Sequence, residues 1–262
     1  MADLESAGMF RVGDAAYDRF MGRYSRPLAG VFADAAGVAA GQRVLDVGCG
    51  PGALTGELRG RLGAASVCAI DPSEPFVEAC ARLNPGVDVR HGSAEDLPYA
   101  DREFDAALAE LVFHFVSDPL LAAREMARVV RPGGTVGACV WDFAGGMTML
   151  RVFWEAALVV NPRAPDEAGT LRFGRDGELG ELFAAAGLRE IAGGALDVEA
   201  AYDGFDDFWQ PFLGGAGPAG AFCASLDEGG RARLREGMFD RLGCPSGPFA
   251  LPARAWYAVG TA

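Results

Sequence analysis

A glycine-rich segment near residue 50 is the part of this sequence best suited to hold a ligand. The apolar run VLDV at 44–47 has the composition of a buried strand, and GCGPG at 48–52 leads from it into a helical pattern that begins at Ala53. Glycines let the backbone pass close to a ligand, and the start of a helix offers free N–H groups. The alternative interpretation is a tight strand-to-helix turn that binds nothing.

The spacing of these glycines, together with the acid before them, favours a cationic ligand. Dinucleotide sites use G-x-G-x-x-G, whereas this turn has G-x-G-x-G. Asp46 would repel the pyrophosphate of a dinucleotide, but it would attract a ligand that carries an ammonium and a sulfonium group. A nicotinamide-dependent oxidoreductase is therefore the disfavoured alternative among enzymes.

Two further segments follow the next two predicted strands. Asp71 comes directly after the apolar run at 67–70, where an acid can accept two hydrogen bonds from a ribose diol, although Asp71 or Ser73 could instead cap the following helix. The segment GSAEDLP at 92–98 follows the third strand. There a side chain and a backbone N–H could contact an adenine edge, and the alternative is an ordinary loop.

Strand and helix patterns alternate along the chain, which predicts βαβ units and a doubly wound, parallel α/β sheet. The predicted strands cover residues 43–47, 66–70, 87–90, 104–109, 135–140 and 188–198, with an edge strand at 249–259. The predicted helices cover residues 53–62, 74–83, 120–130 and 177–186. Aromatic residues at helical spacing near 205–212 are more typical of a core than of a ligand site.

The bulk composition predicts a single domain of 262 residues. Its expected parts are an N-terminal helical cap at 1–40, a cofactor-binding core at 41–142, and insertions at 143–176 and 200–247 that cap the substrate. The formal net charge of -13 disfavours nucleic acid and anionic membranes as partners. Six scattered cysteines and two histidines predict neither disulfides nor a metal site, and the absence of a long apolar run predicts a cytoplasmic protein.

Five ordered motifs strengthen the interpretation of a cofactor site. VLDVGCGPG, AIDPS, GSAEDLPY, FDAALAELVFHFVSDP and EMARVVRPGGTV occur between about residue 17 and residue 140. With them the chain resembles the class I S-adenosylmethionine-dependent methyltransferases, in particular the type 11 branch that includes ubiquinone and menaquinone biosynthesis enzymes. The resemblance implies a Rossmann-like sheet of seven strands with the last strand antiparallel, S-adenosylmethionine as cofactor, and methyl transfer to a small organic acceptor.

The same resemblance assigns the cofactor-binding residues. Those expected to surround the amino-acid end of the cofactor are Tyr17, Arg26, Asp46, Gly48, Cys49, Gly50, Glu110 and Leu111. Asp71 is expected to hold the ribose and Pro72 or Ser73 the adenine face. Ser93, Ala94 and Glu95 form the segment expected at the adenine edge, and relatives usually carry an acid or amide where Ser93 stands. For Tyr17 and Arg26 the alternative is an amphipathic helix docked on the sheet.

Candidate catalytic groups follow the fourth and fifth strands. His114 lies where ligands of α/β sheets bind, and an imidazole there could accept a proton from a hydroxyl or ammonium nucleophile. The alternative is a histidine packed among phenylalanines, and Asp142 is the second candidate base. Aromatic residues in the insertions favour an apolar or aromatic acceptor. A protein that binds the cofactor without turnover is the alternative from another functional class.

Overall fold

The structure is a computed structural model that describes the backbone of residues 14–262 and the side chains from residue 19 onward. Tyr17 therefore lies outside the residues whose side chains are described. None of the helices in the described part of the chain is long and apolar enough to cross a lipid bilayer.

The elements follow one another in the alternating order that the sequence predicts. The strands are β1 (Val44–Val47), β2 (Val67–Asp71), β3 (Asp88–His91), β4 (Phe104–Glu110), β5 (Val130–Trp141), β6 (Arg189–Tyr202) and β7 (Phe249–Thr261). The helices are α1 (Asp14–Ala35), α2 (Ala53–Leu62), α3 (Glu74–Leu83), α4 (Pro119–Val129), α5 (Thr148–Val160), α6 (Glu167–Thr170), α7 (Glu178–Ala186), α8 (Phe205–Trp209), α9 (Gly217–Ser225) and α10 (Glu228–Arg241). Short 3-10 helices lie at Ala64–Ser66 and Gln210–Gly214.

Within residues 14–262 the strands form a seven-stranded sheet in the order β3-β2-β1-β4-β5-β7-β6. Strands β1 to β5 run parallel to one another, whereas β7 runs antiparallel to both β5 and β6. The predicted Rossmann-like sheet with an antiparallel last strand is therefore confirmed. The strand order reverses between β1 and β4, and a crevice opens at the carboxyl ends of strands at such a reversal.

Apolar side chains alternate between the two faces of this sheet, and a core lies on each face. In β4, Ala106 and Leu108 belong to the core that contains residues of α1, α2 and α5. Ala107 and Ala109 point to the opposite core, which contains residues of α4 and α7. This period of two is what a strand buried on both sides requires.

The prediction of an edge strand at 249–259 is wrong. Strand β7 lies between β5 and β6 and pairs with both, so β6 is the strand at the edge. The side chains of β6 are mostly exposed or half-buried, as an edge position allows. The C-terminal position of β7 in the sequence carries no information about its place in the sheet, because the chain forms β6 first and then inserts β7 between β5 and β6.

The segment after β5 is more regular than its glycines suggest. Residues 143–176 contain α5 and α6, and the segment after β6 contains α8, α9 and α10. Helix α10 packs on α5, and α1 packs on β6. These helices form one layer over the sheet face that α1 also covers, and their apolar side chains share one core with α1.

The aromatic cluster of this layer is a packed core, as its spacing predicts. Phe212 is fully buried. Its ring stacks on Phe153 at a centroid distance of 4.7 Å and meets the edges or faces of Phe20 at 5.2 Å and Phe208 at 5.6 Å. Phe212 therefore joins α1, α5 and α8 through one side chain.

Replacing Phe212 by alanine is expected to lower the free energy of unfolding by about 3–5 kcal/mol, because the substitution leaves a cavity among rigid rings. Chemical denaturation of the purified protein measures this loss. The neighbouring Leu213 is 42% exposed and supplies the control. Leu213→Ala should change the free energy of unfolding by less than about 0.5 kcal/mol, and equal losses in the two variants would contradict Phe212 as the centre of this core.

Candidate cofactor and acceptor site

A cleft of about 390 Å³ lies where the strand order reverses. Its floor is the glycine turn after β1, and its walls include Asp46 of β1 and Glu110 at the end of β4. Gly22, Ser25 and Arg26 of α1 line the mouth of the cleft. A cleft of this size, at the carboxyl ends of parallel strands, is where a doubly wound sheet binds its ligand.

The glycines of the turn serve different purposes. Gly48 has φ 72°, and a Cβ atom there would lie 2.5 Å from Val112 Cγ2, so the turn and the segment after β4 can only pack together if residue 48 is glycine. Gly50 has φ 51°, and a Cβ atom there would have no neighbour within 4 Å. The open space beside Gly50 faces the cleft and leaves room for a ligand against the backbone.

Asp46 is a buried carboxyl group that lacks a partner on one side. Its Oδ2 accepts a hydrogen bond from the Thr55 hydroxyl at 2.5 Å. Its Oδ1 is buried and has no hydrogen-bond partner among the described residues. Burial raises the pKa of Asp46 to about 7, while the Thr55 hydrogen bond acts in the opposite direction. A cationic ligand would stabilise the ionised form of this group.

Glu110 resembles Asp46 in having one unpartnered buried carboxyl oxygen, among the described residues, and a raised pKa. Its Oε1 is buried without a hydrogen-bond partner in the described part of the chain. Burial, and secondarily the nearby carboxyl of Asp46, raises the pKa of Glu110 well above its ordinary value. The next residue, Leu111, adopts the left-handed conformation with φ 64° and donates its N–H to Cys139 O at 2.8 Å. A non-glycine residue in this conformation turns the chain sharply at the cleft wall.

Asp71, at the end of β2, lies beside the cleft and contacts the glycine turn that forms its floor. Its Oδ2 accepts the Gly50 N–H at 2.9 Å, and its Oδ1 accepts the Ser73 N–H at 2.8 Å. Burial raises the pKa of Asp71 to about 6, and these two backbone hydrogen bonds act against that rise. Asp71 thus ties the glycine turn to the loop after β2. Because a carboxylate oxygen can accept more than one hydrogen bond, both oxygens keep capacity for a ligand hydroxyl.

The loop after β3 is fixed by its own polar side chains. The Ser93 hydroxyl donates to Glu95 Oε2, and Glu95 Oε1 accepts the Ser117 N–H at 3.1 Å. The Glu95 carboxylate therefore joins this loop to the segment that precedes α4. Ala94 is buried between them. His91 donates from Nε2 to Pro72 O at 2.9 Å and links the loops after β2 and β3.

Helix α1 is fastened to α2 beside the cleft. Arg61 of α2 donates to Gly30 O of α1 at 2.9 Å and to Asp34 Oδ1 at 2.5 Å, and its Nε donates to Glu57 Oε1 at 2.7 Å. This contact keeps Arg26, an exposed residue that lines the cleft, on the side of the glycine turn. The position of Arg26 fits both expectations for this segment, a cofactor contact and an amphipathic helix docked on the sheet, so the role of Arg26 toward the cofactor stays a prediction.

The candidate catalytic residues lie beside this cleft and not in its wall. His114 is buried, with its ring 4.7 Å from the ring of Phe143. Its Nδ1 bonds Arg172 O at 2.6 Å, and its Nε2 is buried without a partner of acceptable geometry within residues 14–262. Burial lowers the pKa of His114 to about 4, although the backbones of Arg172 and Trp141 act against that change.

The side chain of Asp142, the second candidate base, accepts a hydrogen bond from the backbone. Its Oδ1 accepts the Gly145 N–H at 3.1 Å, and its backbone N–H donates to Arg254 O at 2.9 Å. The side chain therefore shapes the turn between β5 and α5. It is buried at the same end of the sheet as His114.

Some residues in the cleft or directly behind it were not predicted from the sequence. Thr55, which orients Asp46, lies nine positions after it on α2. Asn84 lines the cleft at the end of α3 and donates to Gly52 O at 3.4 Å. Gly22 and Ser25 could have been predicted from the sequence, because they lie on the same helical face as Arg26.

Comparison with known proteins agrees with this geometry. A family model described as a methyltransferase domain matches residues 45–137. An uncharacterized methyltransferase of Mycobacterium tuberculosis is 40% identical over 104 residues, which are 40% of this chain and 41% of that protein. A SAM-dependent methyltransferase of Thermotoga maritima has a TM-score of 0.51 at 22% identity, covering 94% of this chain and 98% of that one. The [4+2]-cyclase SpnF has a TM-score of 0.55 at 25% identity, covering 90% and 80%.

The matched residues 45–137 contain every acidic group of the cleft discussed above, the glycine turn and the loop after β3. Two buried carboxyl oxygens without a hydrogen-bond partner among the described residues suit a cationic cofactor. The chain therefore contains a methyltransferase domain, and its cleft suits S-adenosylmethionine as the cofactor.

Proposed function

We propose that the enzyme methylates a small organic acceptor that carries a hydroxyl or ammonium proton, with His114 as the base that removes this proton. The arrangement of His114 carries the proposal. Its Nδ1–H donates to Arg172 O, so the neutral imidazole presents a lone pair at Nε2, and no described residue donates a hydrogen bond to that lone pair. This is the tautomer that a general base requires.

The residues of the cleft fit the cofactor chemically. Asp46 and Glu110 each offer a buried oxygen to a cation, the backbone beside Gly50 is open, and Asp71 can accept ribose hydroxyls. Arg26 lines the mouth of the cleft, and a guanidinium group is suited to a carboxylate of the amino-acid end. When bound, S-adenosylmethionine supplies a methyl group that is already activated on a sulfonium. The protein then has to orient the acceptor, exclude water and receive a proton.

One buried apolar cluster contains both a residue of the cleft and residues beside His114. Leu111 lines the cleft, and it belongs to the same buried cluster as Trp141 and Phe143. Phe143 contacts the His114 ring, and the Trp141 Nε1 is buried without a partner among the described residues. An acceptor bound here would have apolar walls, one hydrogen-bond donor and one base. Such surroundings support a small and largely apolar acceptor rather than a nucleic acid.

The aromatic residues of the helical layer give weaker support for an apolar acceptor than their number suggests. Phe153, Phe208 and Phe212 are fully buried against one another, so they do not form a pocket wall. The layer at 143–176 and 200–247 would limit the acceptor through its backbone position over the sheet. The acceptor chemistry is instead inferred from Trp141, Phe143 and His114.

Methyl transfer itself is tested with a panel of small hydroxyl and amine compounds. Incubation with S-adenosylmethionine should give a product heavier by one methylene and an equal amount of S-adenosylhomocysteine, both measured by mass spectrometry. Tight binding of the cofactor without turnover of any compound in a broad panel would favour the alternative of a cofactor-binding protein.

His114→Asn should lower kcat on that acceptor by about 10²–10⁴-fold while the dissociation constant of S-adenosylmethionine stays unchanged. Asparagine can keep the hydrogen bond to Arg172 O but has no basic nitrogen. Asp142→Asn is the matched variant, since its side chain can still accept the Gly145 N–H, and it should keep kcat within about threefold. A His114→Asn enzyme with full kcat between about pH 6 and 8 would exclude the histidine as the base.

Cofactor affinity should depend on pH through Asp46. Because the pKa of Asp46 is about 7, the group is mostly protonated at pH 6 and mostly ionised at pH 8. The affinity for S-adenosylhomocysteine, which carries an ammonium, should therefore rise about tenfold from pH 6 to pH 8. Isothermal titration calorimetry measures it. Asp46→Asn should bind S-adenosylhomocysteine weakly, with an affinity that no longer depends on pH. If the affinity of that variant rises as steeply with pH as that of the native protein, another group is responsible for the pH dependence.

A further inference from the structure

Two carboxyl groups share the cleft, and each keeps one buried oxygen without a hydrogen-bond partner in the described part of the chain. These atoms are Asp46 Oδ1 on β1 and Glu110 Oε1 on β4. The two groups are close enough for Asp46 to raise the pKa of Glu110 electrostatically. Burying one unpaired carboxyl group is already costly, and a second beside it adds repulsion.

The charged and titratable groups around Glu110 do not neutralise it. Asp46 is its neighbour on β1, and the buried Cys139 thiol is its partner residue on β5. Arg26 on α1 and Glu57 on α2 line the same cleft, yet burial and the Asp46 carboxyl are what set the pKa of Glu110. The described residues therefore provide Glu110 with burial and a like charge, and a ligand is left to provide the cation.

The cofactor and its product differ in the number of cations that they carry. S-adenosylmethionine has an ammonium and a sulfonium, whereas S-adenosylhomocysteine keeps the ammonium and has a neutral thioether. Two unpaired carboxyl oxygens match the two cations of the substrate form. After methyl transfer one of these carboxyl groups loses its counterion, and in a low-dielectric cleft that loss is costly.

Position along the sheet distinguishes the two carboxyl groups. Asp46 is held by Thr55 beside the glycine turn, which is the end of the cleft nearest to α2. Glu110 ends β4, and the segment that follows it leads through Leu111 to His114. The methyl-bearing sulfonium has to face the acceptor, and the acceptor is proposed to lie beside His114. The sulfonium is therefore expected on the Glu110 side and the ammonium on the Asp46 side.

We propose that Glu110 is the residue with which this enzyme distinguishes S-adenosylmethionine from S-adenosylhomocysteine, through its unpartnered carboxyl oxygen in the cleft. The inference rests on the proposed function, since it uses the acceptor position beside His114. Glu110 binds the sulfonium form and favours release of the neutral thioether product. On binding of the sulfonium form, the Glu110 proton passes to the solvent, because the carboxylate is the form that pairs with a cation.

The test compares Glu110→Gln with the native enzyme by calorimetry, using S-adenosylmethionine and S-adenosylhomocysteine as separate ligands. Glutamine keeps the shape of the side chain and removes the charge. The affinity for S-adenosylmethionine should fall about tenfold, and the affinity for S-adenosylhomocysteine should change less than about twofold. Sinefungin, which carries an amine in place of the methylsulfonium, should follow S-adenosylmethionine.

Asp46→Asn is the matched control for this comparison. Because both ligands carry the ammonium, this variant should lose affinity for both by a similar factor. A second measurement repeats the native titrations in two buffers of different ionisation enthalpy. Binding of S-adenosylmethionine should release more protons than binding of S-adenosylhomocysteine, and Glu110→Gln should remove that difference.

The possible outcomes separate this inference from the proposed function. Equal losses for both ligands in Glu110→Gln, or no loss for either, would overturn the role of Glu110 while leaving the cofactor site intact. Failure of the native protein to bind either ligand would overturn the cofactor site itself. Thermal unfolding checks the variant, which should be at least as stable as the native protein because it no longer buries an ionisable group.

Discussion

The burial of carboxyl groups without a cationic partner is the constraint on which this structure depends. Asp46 and Glu110 lie at the carboxyl ends of adjacent strands, and each keeps a buried oxygen that no described residue satisfies. A fold tolerates such groups when a ligand completes them, and perturbed pKa values gather at functional sites for this reason. The cleft has the shape of a ligand site, but no described residue pairs a positive charge with these two carboxyl oxygens. The cleft therefore favours a cationic ligand.

The surrounding elements hold these groups in place. Thr55 orients Asp46, and Asp71 joins the glycine turn to the loop after β2. Helix α1 is held on one side by Arg61 and on the other by Arg23, which donates to Ala201 O at 2.8 Å and to Asp207 Oδ2 at 2.8 Å. Because α1 contacts both α2 and β6, it connects the cofactor cleft with the helical layer that covers the same sheet face.

The sequence predicted the features that depend on local spacing. Strands β1 to β4 and helices α2 and α3 lie within about one residue of their expected bounds, because turn glycines and apolar runs mark them directly. The acid at Asp71 was expected at the tip of β2, and it is there. Its bonds to Gly50 and Ser73 could not be predicted, since they depend on how two loops meet.

Features that depend on long-range packing were not accessible from spacing. Strand β7 inserts between β5 and β6 although it follows both in the sequence, and no local pattern in these strands identifies the neighbouring strand. Thr55 reaches Asp46, and Asn84 reaches the cleft, because of the way α2 and α3 pack against the sheet. Glu110 was expected to close over the cofactor, but its lack of a partner became evident only when β1, β4 and β5 were seen together.

A crystal structure of the protein with S-adenosylmethionine tests the central claim most directly. The ammonium of the cofactor should lie within hydrogen-bond distance of Asp46 Oδ1, the ribose hydroxyls should reach Asp71, and the sulfonium should lie on the Glu110 side of the cleft. A cofactor bound outside this cleft, or one that leaves both Asp46 Oδ1 and Glu110 Oε1 without a cationic neighbour, would contradict the claim.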